Sequence, residues 1–121
     1  MSKNKSEIEN FEDLNLGENL LRGIYAYGWE QPSYVQRVGI APVINGNDSV
    51  IQAQSGTGKT GTFSIAALNN IDGKIKSCQC IILSPTREIA DQTSKVITRL
   101  SNYIKDVKIS AVIGGKRLKN E

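Results

Sequence analysis

Histidine is absent from this sequence, and cysteine occurs only as Cys78 and Cys80. A zinc site takes about four ligands, so none can be assembled from this set. A spacing of i, i+2 puts both thiols on one face of a strand, outside favourable disulfide geometry. They are expected to be reduced, partly buried strand residues, which fits a reducing compartment. No apolar run approaches the ~18 residues of a membrane-spanning helix, so no membrane partner is expected. Met1-Ser2-Lys3-Asn4-Lys5-Ser6 leads into acids rather than an apolar stretch. A secretory signal is therefore not expected, and a soluble intracellular protein, cytoplasmic or nuclear, is. Charge excess is small: 15 basic against 12 acidic residues, net +3, which by itself is weak evidence for a polyanion partner. The tail carries Lys105, Lys108, Lys116, Arg117 and Lys119 against Asp106 and Glu121; it could approach phosphate or simply form a solvated surface. There is no internal repeat, low-complexity tract, interdomain linker or sign of a homo-oligomer. The 121 residues, 39% hydrophobic and 22% charged, have the composition of one ordinary domain at most.

What the sequence does contain is Ala53-Gln54-Ser55-Gly56-Thr57-Gly58-Lys59-Thr60. A short apolar run, 49–53, precedes it, and Gly61 to Leu68 reads as a helix. Strand, glycine-rich loop ending in Gly-Lys-Thr, then helix is the P-loop context. Glycines let successive backbone N–H groups point into one concavity that binds phosphate oxygens. The following helix adds its unpaired N–H groups and positive dipole end. Lys59 would reach the β and γ phosphates, and the Thr60 hydroxyl would ligate Mg²⁺. Ala53 stands where the general pattern has Gly. The bland alternative is a glycine-rich turn before an ordinary helix.

Taken in order, residues 1–10 read as a flexible polar lead-in, and Phe11 as a lone aromatic among polar and acidic residues. Asn15-Leu16-Gly17-Glu18 has the form of a capping box. Leu16, Leu20, Leu21, Ile24 and Tyr25 then recur at helical spacing, with Gly28 as the stop. Ser33 and Gln36 form a second capping box. Val35, Val38, Ile40, Val43 and Ile44 supply that helix's apolar content, and Pro42 should kink it or end it early. The P-loop helix should reach Leu68 or Ile71. Cys78 to Leu83 reads as a second strand. Thr86-Arg87-Glu88 opens a helix running to about Tyr103, with Ile89, Ala90, Val96, Ile97 and Leu100 on its buried side. Val107 to Ile113 reads as a third strand, ended by Gly114-Gly115. The order β–α–β–α–β implies parallel pairing, right-handed crossovers and helices on the faces.

Phe11, then Gly28-Trp29-Glu30-Gln31-Pro32-Ser33-Tyr34-Val35-Gln36, the P-loop, Pro85-Thr86-Arg87-Glu88-Ile89-Ala90 and Gly114-Gly115 follow one another in a fixed order. This set resembles the front of the first RecA-like domain of DEAD-box RNA helicases. Leu20-Leu21-Arg22-Gly23-Ile24-Tyr25-Ala26-Tyr27-Gly28 is similar to the translation initiation factor four-A group and its nuclear exon-junction relatives. The resemblance implies an incomplete α/β P-loop NTPase fold over 11–121, a three-stranded part of a parallel sheet flanked by helices. Within it the Q motif would span 11–37, the P-loop 53–60, motif Ia 85–90 and the Gly-Gly motif 114–115. It implies ATP and Mg²⁺ as cofactors. Gln36 would contact the adenine edge through its amide, Trp29 would stack on the base, Phe11 would pack from upstream, and Gln31 stands where many relatives carry Lys. Pro85, Thr86, Arg87, Gly114 and Gly115 would meet RNA through its sugar–phosphate backbone, independent of base sequence and sensitive to salt. Translation-initiation or exon-junction partners are implied with it.

Residue by residue, plainer roles compete. Gln36 could serve only as the capping-box partner, Trp29 and Phe11 only as core aromatics. Pro85-Thr86 could be helix-start chemistry with Arg87 and Glu88 on the surface. Gly114-Gly115 could be the turn that ends a strand. The family's Asp-Glu-Ala-Asp and Ser-Ala-Thr sequences do not occur in the chain. The expectation is therefore a piece of an ATP-dependent RNA helicase that binds nucleotide weakly without turning it over. The alternative is a truncated, non-catalytic module binding nucleotide or a partner; a small P-loop kinase is disfavoured, since it needs no Gln motif.

Overall fold

The computed structural model describes residues 8–114. A short 3₁₀ helix, Phe11–Leu14, precedes four α-helices: α1 Glu18–Tyr27, α2 Tyr34–Ile44, α3 Lys59–Asn70 and α4 Arg87–Leu100. The helix punctuation is mostly local. Gly28 takes φ +108 and donates to the Tyr25 carbonyl, while the Trp29 N–H reaches the Ile24 carbonyl. That pair of bonds closes α1 in the Schellman manner, and glycine carries the left-handed turn without a Cβ penalty. Ser33 and Gln36 form the expected reciprocal box at the start of α2. Thr86 caps α4, its Oγ1 accepting from the Ile89 N–H at 3.2 Å.

Several local expectations need correction. Asn15 does not cap α1: it ends the 3₁₀ helix in a left-handed conformation, φ +56, and α1 starts only at Glu18 behind Gly17. The Gly17 N–H is held instead by Asn69 Oδ1, at 2.9 Å, from the far end of α3. Its neighbour Asn70 points its amide at the Val43 and Ile44 carbonyls that close α2. Of the two effects expected of Pro42, the early end is not seen: α2 continues through Pro42 to Ile44, because Pro42 lies so near the end that its missing N–H leaves only one late rung unmade. Helix α4 stops at Leu100 rather than near Tyr103, and Ile89 is exposed rather than on the buried side, where Thr93 sits instead. Of the polar lead-in, residues 1–7 lie outside the described residues; Ile8 packs against the core, and the Asp13 carboxylate accepts from the Glu9 and Asn10 N–H groups.

Helix α3 is the centre of the packing. It lies against α2 on one side and α4 on the other, with α1 bridging α4 and α3. Phe11, Ile24, Ile40, Ile65, Ala66 and Leu100 are fully buried in one cluster. Removing each such side chain from water contributes about 1.5–3 kcal/mol for the larger ones. At Gly23 an added Cβ would fall 2.0 Å from the Leu100 carbonyl oxygen, so α1 and the end of α4 meet backbone to side in a place where only glycine fits.

The expected sheet is not seen. Among the described residues no strand forms, and no backbone hydrogen bond joins 49–53, 78–83 and 107–113 to one another. The alternation that marks a strand is nevertheless present: Val107, Ile109, Ala111 and Ile113 turn inward while Lys108, Ser110 and Val112 are exposed. The 107–113 segment rests one face on the helices, whereas every residue of 78–83 is exposed; Val50, Ile81, Leu83 and Val112 are between 69% and 98% exposed. A parallel sheet needs both faces covered and every strand edge paired, and the described residues supply neither. Cys78 and Cys80 are accordingly exposed rather than partly buried in a strand. Between α3, α4 and the 107–111 segment lies an apolar cavity of about 170 Å³, lined by residues such as Leu68, Ile82, Ala90, Ile97 and Ile109; no P-loop residue borders it.

Candidate functional site

The P-loop closes as a tight turn. Thr57 folds back on Gln54, its N–H donating to the Gln54 carbonyl at 3.3 Å and its hydroxyl to the same oxygen at 2.6 Å. Gly56 and Gly58 take φ +82 and +100, conformations that L side chains avoid. The two glycines differ in surroundings. A Cβ at Gly56 would meet nothing within 4 Å, whereas one at Gly58 would lie 2.7 Å from Ser33 Oγ and 2.9 Å from Gln36 Nε2. Helix α3 starts directly after Gly58, with no acidic residue in its first turn. The N–H groups of Lys59, Thr60 and Gly61 therefore have no intrahelical acceptor, and the helix's positive end is uncompensated. Ala53, Thr57, Gly58, Lys59 and Thr60 are half-buried; Gln54, Ser55 and Gly56 are exposed. Among the described residues Lys59 has no carboxylate partner, the one ion pair being Lys95–Asp91.

The start of α2 and the segment before it form the wall of this loop. Gln36 is 5% exposed. Its Oε1 accepts from the Ser33 N–H at 3.0 Å, and its Nε2 donates to the Gly58 carbonyl at 3.4 Å. The Gly58 oxygen also receives the Thr62 N–H and hydroxyl at 3.0 and 2.9 Å. A side-chain amide has two donors and two acceptor positions, so one of each is left on Gln36 for a ligand. Trp29 completes the wall. A Cβ at Gly61 would lie 2.5 Å from Gln36 Nε2 and 2.8 Å from the far edge of the Trp29 ring. Ser33 and Gln36 are thus packed against the loop's Gly58, and Gln36 and Trp29 against Gly61 in the first turn of α3. Trp29 in turn stands beside Tyr27, ring centroids 4.7 Å apart and planes tilted by 47°, and the Arg99 guanidinium of α4 lies 4.1 Å over the Tyr27 ring.

Other expected site residues fall elsewhere. Phe11 is fully buried, edge-on to Tyr25 with ring centroids 6.3 Å apart, and presents no surface to the loop. Gln31 is exposed in the loop before α2. Pro85, Thr86 and Arg87 are exposed at the start of α4, and no hydrogen bond or ion pair among the described residues joins them to the P-loop. Gly114 is exposed, with open space where a Cβ would be; Gly115, like the tail's Lys116, Arg117 and Lys119, lies outside the described residues. Among the described residues no cluster of three His, Cys, Asp or Glu could hold a metal. Near the outer end of the 3₁₀ helix, the Tyr25 hydroxyl is pushed up to about 12, first by its hydrogen bond to Glu12, then by burial and by the charges of Glu12 and Asp13.

Sequence reasoning missed Gly61, Thr62, Tyr27 and Arg99. Gly61 did carry a signal: glycine in the first turn of a helix costs ~1 kcal/mol against alanine, and close approach of another group is the usual reason. Arg99 carried none, because its contact joins residues remote in sequence.

Residues 33–121 match the DEAD/DEAH box helicase family. The chain is 55% identical over 114 residues to the ATP-dependent RNA helicase eIF4A of Kluyveromyces lactis, covering 94% of this chain and 28% of that protein. It is 52% identical over 113 residues to eukaryotic initiation factor 4A of Drosophila melanogaster, covering 93% and 28%. Among solved structures it is similar to a DEAD box protein from the hyperthermophile Methanococcus jannaschii, with TM-score 0.82 and 35% identity over 90% of this chain and 30% of that one. It is also similar to Saccharomyces cerevisiae Dbp5 bound to RNA and ADP BeF3, with TM-score 0.75 and 38% identity over 79% and 25%. The chain thus spans under a third of the length of these relatives. A loop glycine resting on Ser33 and Gln36, with Trp29 against the glycine that follows in α3, together with these matches, leads to one conclusion: the chain belongs to the DEAD/DEAH box helicase family.

Proposed function

We propose that this chain is the adenine-nucleotide-binding part of an ATP-dependent RNA helicase of the eIF4A type, acting in translation initiation in the cytoplasm. One observation carries the reading: the left-handed Gly58 is packed on Ser33 and Gln36, so a phosphate cradle and a base-reading amide share one wall. The nucleotide phosphates fit the N–H groups at the start of α3, with Lys59 supplying positive charge to the β and γ oxygens. Trp29 stacks on adenine, and the remaining donor and acceptor of Gln36 meet the base edge. The Thr60 hydroxyl would be a ligand for Mg²⁺, an ion that would supply positive charge beside the phosphates. The Q motif is assigned to 11–37, with Phe11 supporting it from the core. Pro85, Thr86, Arg87 and Gly114-Gly115 serve the RNA backbone, where an N-terminal helix turn and an exposed guanidinium suit an anionic strand.

Phosphoryl transfer also needs an acidic group to hold Mg²⁺ and position the attacking water. The sequence Asp-Glu-Ala-Asp is not present in these residues. The 121-residue chain therefore binds Mg·ATP and does not hydrolyse it. Isothermal calorimetry and a phosphate-release assay test both halves. Lys59→Ala should abolish measurable Mg·ATP binding, and no release should exceed the buffer rate, with or without RNA. RNA-stimulated release that disappears in Lys59→Ala would overturn the second half, and unaltered binding by that variant the first.

A further inference from the structure

We infer that Tyr27 and Arg99 are positioning residues for Trp29, holding its ring at the angle from which it stacks on the nucleobase. The inference rests on the adenine-binding reading of Trp29 and adds residues to it. Trp29 follows the left-handed Gly28, so its backbone direction is set by the end of α1, and the residue is half-buried beside the core. Its ring edge leans on Gly61 of α3. What fixes its tilt is Tyr27, centroid to centroid at 4.7 Å. Tyr27 in turn is capped by the Arg99 guanidinium at 4.1 Å. Cation, phenol ring, indole and the α3 glycine thus form one continuous series of contacts. Ring pairs at this spacing and cations over ring faces attract one another, so removing Tyr27 or Arg99 frees the indole to turn. Arg99 sits in the last turn of α4, the helix that Thr86 caps and Arg87 opens. This series of contacts therefore ties the base pocket to the element that presents the proposed RNA-binding residues.

Trp29 is the sole tryptophan of the chain, so tryptophan emission reports its ring directly. The test titrates the 121-residue protein with Mg·ADP and, separately, with Mg·pyrophosphate as a probe for the phosphate cradle alone, by emission and by calorimetry. Tyr27→Ala should weaken ADP about two- to tenfold, the range of a lost aromatic pair, and shift the emission of the free protein to longer wavelength. Pyrophosphate affinity should not change, and Tyr27→Phe should restore wild-type behaviour. Arg99→Ala should act in the same direction, about two- to fivefold; being exposed, it carries the test if Tyr27→Ala loses its helical circular dichroism. Equal losses for ADP and pyrophosphate, or wild-type ADP affinity and emission in both variants, would overturn the inference. The underlying reading is tested apart from it: wild-type ADP affinity in Trp29→Ala would refute base stacking itself. Loss in Trp29→Ala with no change in Tyr27→Ala and Arg99→Ala would refute only the positioning role.

Discussion

Gly56 and Gly58 offer a controlled comparison, because both have positive φ but only Gly58 is crowded. Replacing either by alanine forces an L residue into a left-handed conformation, at about 1–2 kcal/mol. At Gly56 that is the whole cost, since the new methyl meets nothing within 4 Å. At Gly58 the methyl would stand 2.7 Å from Ser33 Oγ and 2.9 Å from Gln36 Nε2. Both atoms end side chains that can rotate away, but doing so breaks the reciprocal box at the start of α2 and the Gln36 bond to the Gly58 carbonyl. Loss of a cap costs about 0.5–2 kcal/mol. Gly58→Ala should therefore be about 1–2 kcal/mol less stable than Gly56→Ala by urea denaturation followed by circular dichroism. It should also displace Gln36, so that its remaining nucleotide binding discriminates less between bases. Equal destabilisation by the two variants would show that Ser33 and Gln36 do not rest on Gly58.

Two further outcomes follow from the packing and the electrostatics. Gly23→Ala gains about 1 kcal/mol of intrinsic helix preference, yet its methyl would sit 2.0 Å from the Leu100 carbonyl oxygen. Backbone cannot rotate away as a side chain can, so α1 and α4 must separate, and a net loss of about 1–3 kcal/mol is expected; thermal unfolding at higher temperature than wild type would contradict that close approach. Tyr25 holds its proton up to about pH 12 in the folded chain, against about 10 unfolded. The folded state binds that proton more tightly, so the associated stability is complete below about pH 10 and is lost as pH rises towards 12. Glu12→Gln should bring the phenolate absorbance of Tyr25 to lower pH, and an unchanged titration would exclude the Glu12 bond as its main cause.

What could be read from the sequence was what neighbouring residues decide. The Ser33–Gln36 box, the Gly28 stop, the Thr86 start and the P-loop turn each depend on a few adjacent residues, and each is found. The Asn15 box failed for an equally local reason: Asn15 tolerates a left-handed backbone, and here it ends a 3₁₀ helix instead of opening an α-helix. The rest depends on residues far apart. Asn69 and Asn70 cap α1 and α2 from the end of α3, and nothing in Asn-Asn announces a partner 52 residues away. The strand-like alternation of 107–113 was legible, but pairing requires a neighbour with a matching edge, which alternation does not supply. Cys78 and Cys80 followed the strand expectation into the interior and are exposed for the same reason. At the site, Gln36 and the glycines were legible as types, whereas their contact was not, because it joins residues 22 and more positions apart.

Calorimetric titration of the 121-residue chain with Mg·ATP and with Mg·GTP, for wild type and Gln36→Ala, tests the central claim most directly. Wild type should bind ATP and not GTP, because the remaining donor and acceptor of Gln36 suit the adenine edge. Gln36→Ala should lose that preference while helical content is retained. GTP binding as tight as ATP binding in the wild-type chain would contradict it.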